Sequence, residues 1–263
     1  MPSFIAGLKA AASKILGAIP VSLLKRAEDA IQKQLGKGSG AWSTAEEAET
    51  ISRFIQELNL KDVVAIDADA NVGNWSAEFL GCLPTAQIIA FEPSAVAFSR
   101  LSERFEQDSR VACVNLALGK FNQRSTLYSD EGGSGLGSLT KRRVDHFSIR
   151  FDHQEMIEVQ TLDSWIANSQ LNKKPNVLKM DIEGHEYDLL MGATETLKSI
   201  RVGQFEFGGS NIDTRIFFQD FWYFFRNHGF TLFRLTPKKP LAIDHYSEVD
   251  ESFRPTNFIA VRK

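Results

Sequence analysis

A doubly wound, mostly parallel α/β sheet of seven strands is what this sequence predicts, and three of its features carry that reading. Short apolar runs without polar alternation recur along the chain, as strands covered on both faces require. Segments of helical period separate them, the alternation that builds a parallel sheet through right-handed crossovers. The first such run ends in Val64-Ala65-Ile66-Asp67 and passes straight into the small-residue turn Ala68-Asp69-Ala70-Asn71-Val72-Gly73. A tight strand-to-helix turn of this kind lets backbone approach a ligand closely, and the helix N-terminus behind it favours an anionic group.

The bulk composition narrows the field. With 263 residues, 43% hydrophobic and 24% charged, the chain holds one substantial core and an appended element rather than two full domains. A formal net charge of -3 supplies no general pull toward nucleic acid or acidic lipid, so no nucleic-acid partner is expected. Cys82 and Cys113 lack a CxxC spacing and sit in apolar segments, so they are expected to be buried reduced thiols of a cytoplasmic protein. No segment reaches the roughly 18 uninterrupted apolar residues of a transmembrane helix. Phe4 to Pro20 is the most apolar stretch, but Lys9 and Lys14 break it and it lacks the early positive charge of an export signal. It reads as an amphipathic helix.

The elements follow in order. Val21 to Leu35 continues in helical period, with Leu23, Leu24, Ala27, Ile31 and Leu35 on one side, until Gly36, Gly38 and Gly40 stop it. Residues 1–40 are therefore expected to form a helical extension that docks on its own domain or joins copies of the chain, and residues 41–263 the main domain. Ser43 or Thr44 caps the next helix, with Glu46 and Glu47 in its first turn and Ile51, Phe54, Ile55 and Leu58 inward. Strands are predicted at Asp62 to Asp67, Gln87 to Glu92, Arg110 to Asn115, Asn176 to Asp181, Val202 to Phe207, Phe230 to Leu235 and Phe258 to Arg262. Helices are predicted at Asn74 to Leu83, Ser94 to Gln107, Thr161 to Ser169, His185 to Ser199 and Arg215 to His228. In the last of these, Phe217, Phe218, Phe221, Trp222, Phe224 and Phe225 cover more than one face, so part of the segment should bury against the sheet.

Residues 121–160 break the pattern. Gly132, Gly133, Gly135 and Gly137 crowd together, followed by Lys141, Arg142 and Arg143, in an insertion too long for a turn and of the kind that forms functional loops or lids. The basic run, with Arg150, reads either as a solvated hairpin or as a recognition site for a phosphate or acidic sugar.

Glu92 ends the second predicted strand in Phe91-Glu92-Pro93. In nucleotide-binding sheets an acid at that point accepts the ribose hydroxyls; the plainer reading is that Asp67 and Glu92 cap the helices that follow them. These residues, with Trp75-Ser76, Asn115-Leu116-Ala117-Leu118-Gly119, Thr161-Leu162-Asp163 and above all Leu178-Lys179-Met180-Asp181-Ile182-Glu183-Gly184-His185-Glu186, resemble the FkbM family of S-adenosylmethionine-dependent methyltransferases over roughly residues 60–235. The resemblance implies a Rossmann-like class I methyltransferase fold and O-methylation of a sugar, glycan precursor or other small hydroxylated metabolite. Carried over by position, it implies that Asp67 and the Asn71 to Gly73 turn hold the methionine end of S-adenosylmethionine, that Glu92 holds the ribose, and that Asn115 and Ala117 lie near the adenine. Asp181 would close the same site. One position departs: Asp69 stands where the family usually has glycine, which opens the alternative of a non-catalytic binding protein.

Methyl transfer needs an aligned acceptor oxygen and the removal of one proton. Ligands of such sheets sit beyond the carboxyl ends of the strands, which makes His185, Asp181 and Glu206 the candidate catalytic residues, with Glu183 and His153 as further titratable groups and positioning alone as an alternative. Three carboxylates near one site could also hold a magnesium ion, though the spacing does not call for one, and no cysteine–histidine pairing suggests zinc. A nicotinamide-dependent oxidoreductase shares the turn and the second acid, but the incomplete GxGxxG and the Lys179 to Glu186 run argue against it.

Overall fold

The computed structural model describes residue 17 and residues 19–38 and 43–263; the helix expected over Phe4 to Pro20 and the stop at Gly40 lie outside the described residues or nearly so. Helices α1 (Val21–Gln34) and α2 (Thr44–Glu57) precede β1 (Val64–Ala68), α3 (Asn74–Cys82), β2 (Gln87–Phe91), α4 (Ala95–Phe105) and β3 (Val111–Val114). Then come β4 (Ala117–Leu118), β5 (Gln123–Ser129), β6 (His153–Gln160), α5 (Leu162–Asn168), β7 (Val177–Met180), α6 (Glu186–Met191) and β8 (Val202–Phe207). The chain ends with α7 (Ser210–Thr214), α8 (Phe218–Asn227), β9 (Thr231–Arg234), β10 (Leu241–Ala242) and β11 (Thr256–Val261).

The main sheet runs β10-β9-β11-β8-β7-β1-β2-β3. The central pairs β1–β2, β1–β7, β2–β3 and β7–β8 are parallel, and β11 slots antiparallel between β8 and β9. All seven predicted strands are present. The sheet has eight, because Leu241 and Ala242 add a short edge; two exposed residues leave no periodic signature to read.

Alternate residues of the central strands bury on opposite faces. Ile66, Ile89, Phe91, Leu178 and Met180 pack on one side with Phe205, Phe221, Phe225 and Phe258. Ala65, Ile88 and Ala90 pack on the other with Ile51, Ile55, Trp75, Phe79 and Leu101. The aromatic segment resolves into core: Phe221 and Phe225 stack on Phe205 at 4.8 and 5.2 Å, and Phe218 on Phe258 at 4.5 Å, while Phe217 and Tyr223 face solvent. Ser43 caps α2 in a capping box with Glu46. Cys82 and Cys113 are free thiols but only half-buried, so the expectation of full burial is corrected.

The helix predicted from His185 to Ser199 is corrected too. It stops at Met191, and a 3-10 turn at Thr196–Lys198 follows. Two contacts stop it. A Cβ on Gly192 would sit 2.1 Å from the Gly119 carbonyl oxygen, and the Asp163 carboxylate accepts from the Glu195 and Thr196 N–H groups at 2.9 and 2.7 Å. Both partners are distant in sequence, which periodicity cannot register.

The insertion forms its own three-stranded sheet, β4-β6-β5, and its glycine run folds back toward the carboxyl ends of the main strands. Helix α1 has no buried residue, but the chain at its end docks beside β9 and β11. Gly36 lies against the Leu235 carbonyl, Lys37 Nζ donates to the Val249 carbonyl, and Asp29 pairs with Arg254 at 2.7 Å. Among the described residues no helix is long and apolar enough to cross a membrane.

Candidate active site

Asp67, fully buried at the end of β1, accepts from Ser76 Oγ at 2.7 Å through Oδ2, and its Oδ1 lies 3.3 Å from Lys179 Nζ, an ion pair without hydrogen-bond geometry. Two residues on, Asp69 has φ 64 and Asn71 φ 49, left-handed values that Asp and Asn tolerate better than most side chains. Gly73, φ 79, is needed for packing as well as for its turn: a Cβ there would meet Phe105 at 2.4 Å and Leu101 at 2.8 Å on α4.

Glu92, at the end of β2, is also buried, and both its oxygens accept backbone hydrogen bonds at 2.8 Å, from Asn71 and from Ser94. A side-chain hydrogen bond joins it to Asp69. Burial, then the charge of Glu92, pushes the Asp69 carboxyl well above the usual range; burial likewise raises Glu92 against the backbone donors that lower it. Two facing carboxyls in a low-dielectric setting cannot both ionise, so the pair holds a proton and Asp69 carries it. Asn115 is exposed and spends its amide on the Glu92 and Pro93 carbonyls, at 2.9 and 3.0 Å.

A narrow, open-mouthed pocket lies over these strand ends, walled by Asp69, Pro93, Ala117, Leu118, Leu127, Ser138, Leu139, Ile182 and His185. Asp69 lines it and Glu92 does not. Gly135, in the glycine run, approaches the Asn71 amide, so the insertion forms part of the roof.

The turn after β7 supplies the far wall. Glu186 Oε1 accepts from the Ile182 and Gly184 N–H groups at 2.9 and 3.2 Å, which ties the turn into a loop. Glu183, φ 52, pairs with Arg142 from the insertion, and Arg142 also lies 3.9 Å from Asp213. Arg142 is thus a partly buried latch rather than part of a solvated hairpin; Lys141, Arg143 and Arg150 are the exposed members of that run. His185 is engaged at both nitrogens: Nδ1 lies 2.9 Å from Asp188 Oδ2 and Nε2 3.0 Å from Thr140 Oγ1. Asp188 as a carboxylate only accepts, so Nδ1 carries a proton, and in the neutral ring Nε2 accepts from the Thr140 hydroxyl.

Lys179 Nζ sits 3.3 Å from Asp67 and 3.9 Å from Asp181, in reach of Asp69 and Glu47 as well. Burial alone would lower its pKa; the carboxylates outweigh burial and raise it. Burial pushes Glu47 and Glu183 up to about 7 and Glu186 up to about 8, and drives Glu206 well above its ordinary range with help from the Asp181, Glu183 and Glu186 charges. Among the described residues no group of three or more His, Cys, Asp or Glu side chains is arranged to hold a metal ion.

The fold thus brings Asp67, Asp69, Asn71, Glu92, Ala117, Asp181 and His185 to one end of the sheet, with Glu206 on the neighbouring strand. His153 is left apart, exposed beside Gly132 at the start of β6. Three partners were not singled out from the sequence, Lys179, Thr140 and Asp188, and Arg142 was read there only as part of its basic run. A lysine inside an otherwise apolar strand is a readable signal, and Asp188 is an i,i+3 neighbour of His185 on one helix; Thr140 and Arg142 depend on folding of the insertion.

Residues 67–232, more than half of the chain, match the family described as the methyltransferase FkbM domain. The chain belongs to the FkbM methyltransferase family. Among curated relatives, this FkbM protein is 27% identical over 158 residues to a 2-O-methyltransferase, NoeI, of Sinorhizobium fredii, covering 57% of this chain and 65% of that one. It is 26% identical over 150 residues to the hexuronic acid methyltransferase AglP of Haloferax volcanii, covering 57% and 58% of the two chains. The FkbM chain therefore spans less than two thirds of the length of the curated relatives it matches. A solved structure of a Streptococcus mutans methyltransferase with S-adenosylhomocysteine overlaps 81% of this chain and 95% of that one at 12% identity and a TM-score of 0.43. At that level of likeness the fold rests on the strand order itself, and the neighbour's ligand says nothing of this FkbM chain.

Proposed function

We propose that this FkbM-family protein is an O-methyltransferase that moves a methyl group from S-adenosylmethionine to a hydroxyl of a sugar, glycan precursor or other small metabolite. The observation that carries the proposal is the facing of the Asp69 turn and the Asp188-oriented His185 across one pocket. The residues suit the cofactor: Asp67 Oδ1 meets only Lys179 and makes no hydrogen bond of good geometry, Ala117, Leu118 and Ile182 give apolar walls, and a protonated Asp69 adds no negative charge. When bound, S-adenosylmethionine supplies a methyl group on a positively charged sulfur. In this reading Asp67 and the Asn71–Gly73 turn hold its methionine end, Glu92 the ribose, and Asn115 and Ala117 border the adenine.

His185 is the proposed base. Its Nε2 already receives a hydroxyl, that of Thr140, and an acceptor hydroxyl would take the same role. Asp181, half-exposed near Lys179, is the second candidate; Glu206 is held protonated by burial and suits the role least. The work is placed in the cytoplasm on the strength of the two free thiols, and contact between copies through α1 is supported by its exposed Leu23, Ile31 and Leu35.

The Asp69 carboxyl favours a second reading, a non-catalytic binding protein. Calorimetric titration with S-adenosylmethionine and S-adenosylhomocysteine, followed by methyl transfer to a panel of hexosides, separates the two. Binding with turnover supports the enzyme; an absence of binding in the unmodified chain that Asp69→Gly restores, without turnover, supports the binding protein.

A further inference from the structure

A second trough opens on the other side of His185. It is bordered by Lys120, Phe121, Gln123, Ser125, Asp188 and His185. His185 and Leu139 line both it and the pocket over Asp69, so the two cavities meet at the imidazole. Strand alternation makes the junction continuous: Gln123 and Ser125, which border the trough, and Leu127, which borders the pocket, share one face of β5.

The chemistry of the trough is specific. Phe121 is 60% exposed, and Lys120 Nζ stands 5.3 Å from its ring centroid. Lys120 has no carboxylate partner among the described residues, and neither the Gln123 amide nor the Ser125 hydroxyl makes a hydrogen bond within the protein there. Asp188 uses only Oδ2 on His185. An exposed apolar ring, an unmatched cation and a row of unused donors and acceptors therefore surround the proposed base. Lys120 and Gln123 are exposed and solvated when the trough is empty; a flat aromatic acceptor would displace that water without replacing its hydrogen bonds, and a neutral polyol would make no use of the Lys120 charge.

We infer that this trough is the acceptor site and that it takes a pyranose carrying a carboxylate, a uronic acid, with its C–H face on Phe121, its carboxylate on Lys120 and its hydroxyls on Gln123, Ser125 and Asp188. The inference rests on the methyltransferase reading only for what happens to the sugar, not for its binding.

The test uses the full chain and four probes: the methyl glycosides of glucuronic and galacturonic acid and the matching glucoside and galactoside, titrated by calorimetry into wild type, Lys120→Gln and Phe121→Ala. Both side chains are exposed, so the variants are expected to fold, which circular dichroism checks. At least one uronide binds more tightly than its neutral partner; Lys120→Gln weakens it about tenfold and the neutral glycoside less than about twofold, while Phe121→Ala weakens both severalfold. No binding of any probe at ~10 mM, or a uronide affinity indifferent to both substitutions, overturns the inference. A parallel titration with S-adenosylhomocysteine separates the two claims. If it binds and the glycosides do not, this inference fails and the methyltransferase reading survives; if the glycosides bind in the stated pattern and it does not, the sugar site stands and the methyltransferase reading falls.

Discussion

Asp69 and Glu92 face one another across the ends of β1 and β2 as a hydrogen-bonded carboxyl pair with Asp69 turned to the pocket. Asp69→Gly removes the outer carboxyl and keeps the left-handed turn, which glycine adopts freely. S-adenosylhomocysteine affinity is expected to rise about tenfold, measured by calorimetry at neutral pH. An unchanged Kd would mean that the pair lies outside the binding site.

His185 and Asp188 form the other half of the site. His185→Gln is expected to lower kcat by roughly 10²–10⁴ with S-adenosylhomocysteine affinity within about twofold, since only proton removal is lost. Asp188→Asn should fall between, because the imidazole keeps its place but loses the group that fixes its tautomer. Equal kcat in wild type and His185→Gln would pass the role to Asp181 or to positioning alone.

Lys179 is the cation among Asp67, Asp69, Asp181 and Glu47. Lys179→Met leaves buried carboxylates without their counter-charge, a change worth about 3–5 kcal/mol of stability. Denaturant unfolding monitored by circular dichroism should show a lowered midpoint, or the variant should fail to accumulate. A midpoint equal to wild type would contradict the assignment.

Stability should decline as pH rises. Burial raises Glu47 and Glu183 to about 7 and Glu186 to about 8 from an ordinary 4.5. Between 4.5 and those values the unfolded chain has released protons that the folded chain still holds, so raising pH favours unfolding. The stabilisation is complete below pH 4.5 and is lost on the way to pH 8. Glu186→Gln keeps an oxygen for the Ile182 and Gly184 N–H groups but cannot titrate, so the decline in unfolding midpoint should become shallower. A decline as steep as that of wild type would show that Glu186 is not the titrating group.

Gly192 touches the Gly119 carbonyl, and a Cβ 2.1 Å from it has no flexible side chain to push aside. Gly192→Ala is expected to lower stability by ~1–3 kcal/mol, read from the unfolding midpoint, through separation of α6 from β4 rather than through backbone strain. A neutral effect would mean that β4 moves freely against α6.

Much of this was legible in the sequence because it is local. Seven strands announced themselves as apolar runs, Ser43 with Glu46 as a capping box, and Asp67, Glu92 and Asp181 as acids closing strands that a parallel sheet must align at one edge. The carboxyl-edge rule therefore gathered the candidate residues before any coordinates were known.

Tertiary structure decided the rest, because the deciding contacts join segments that carry no mark of one another. Arg142 reads as one of three basic residues on an exposed loop, and only the fold of the insertion lays it on Glu183 and Asp213. Thr140 meets His185 in the same way, 45 residues apart. The helix after His185 breaks at Gly192 because β4 passes beside it, against its own period. Asp69 shows the division most plainly. The sequence determines that a carboxyl stands in the turn after β1; the low dielectric and the facing Glu92 decide that it keeps its proton.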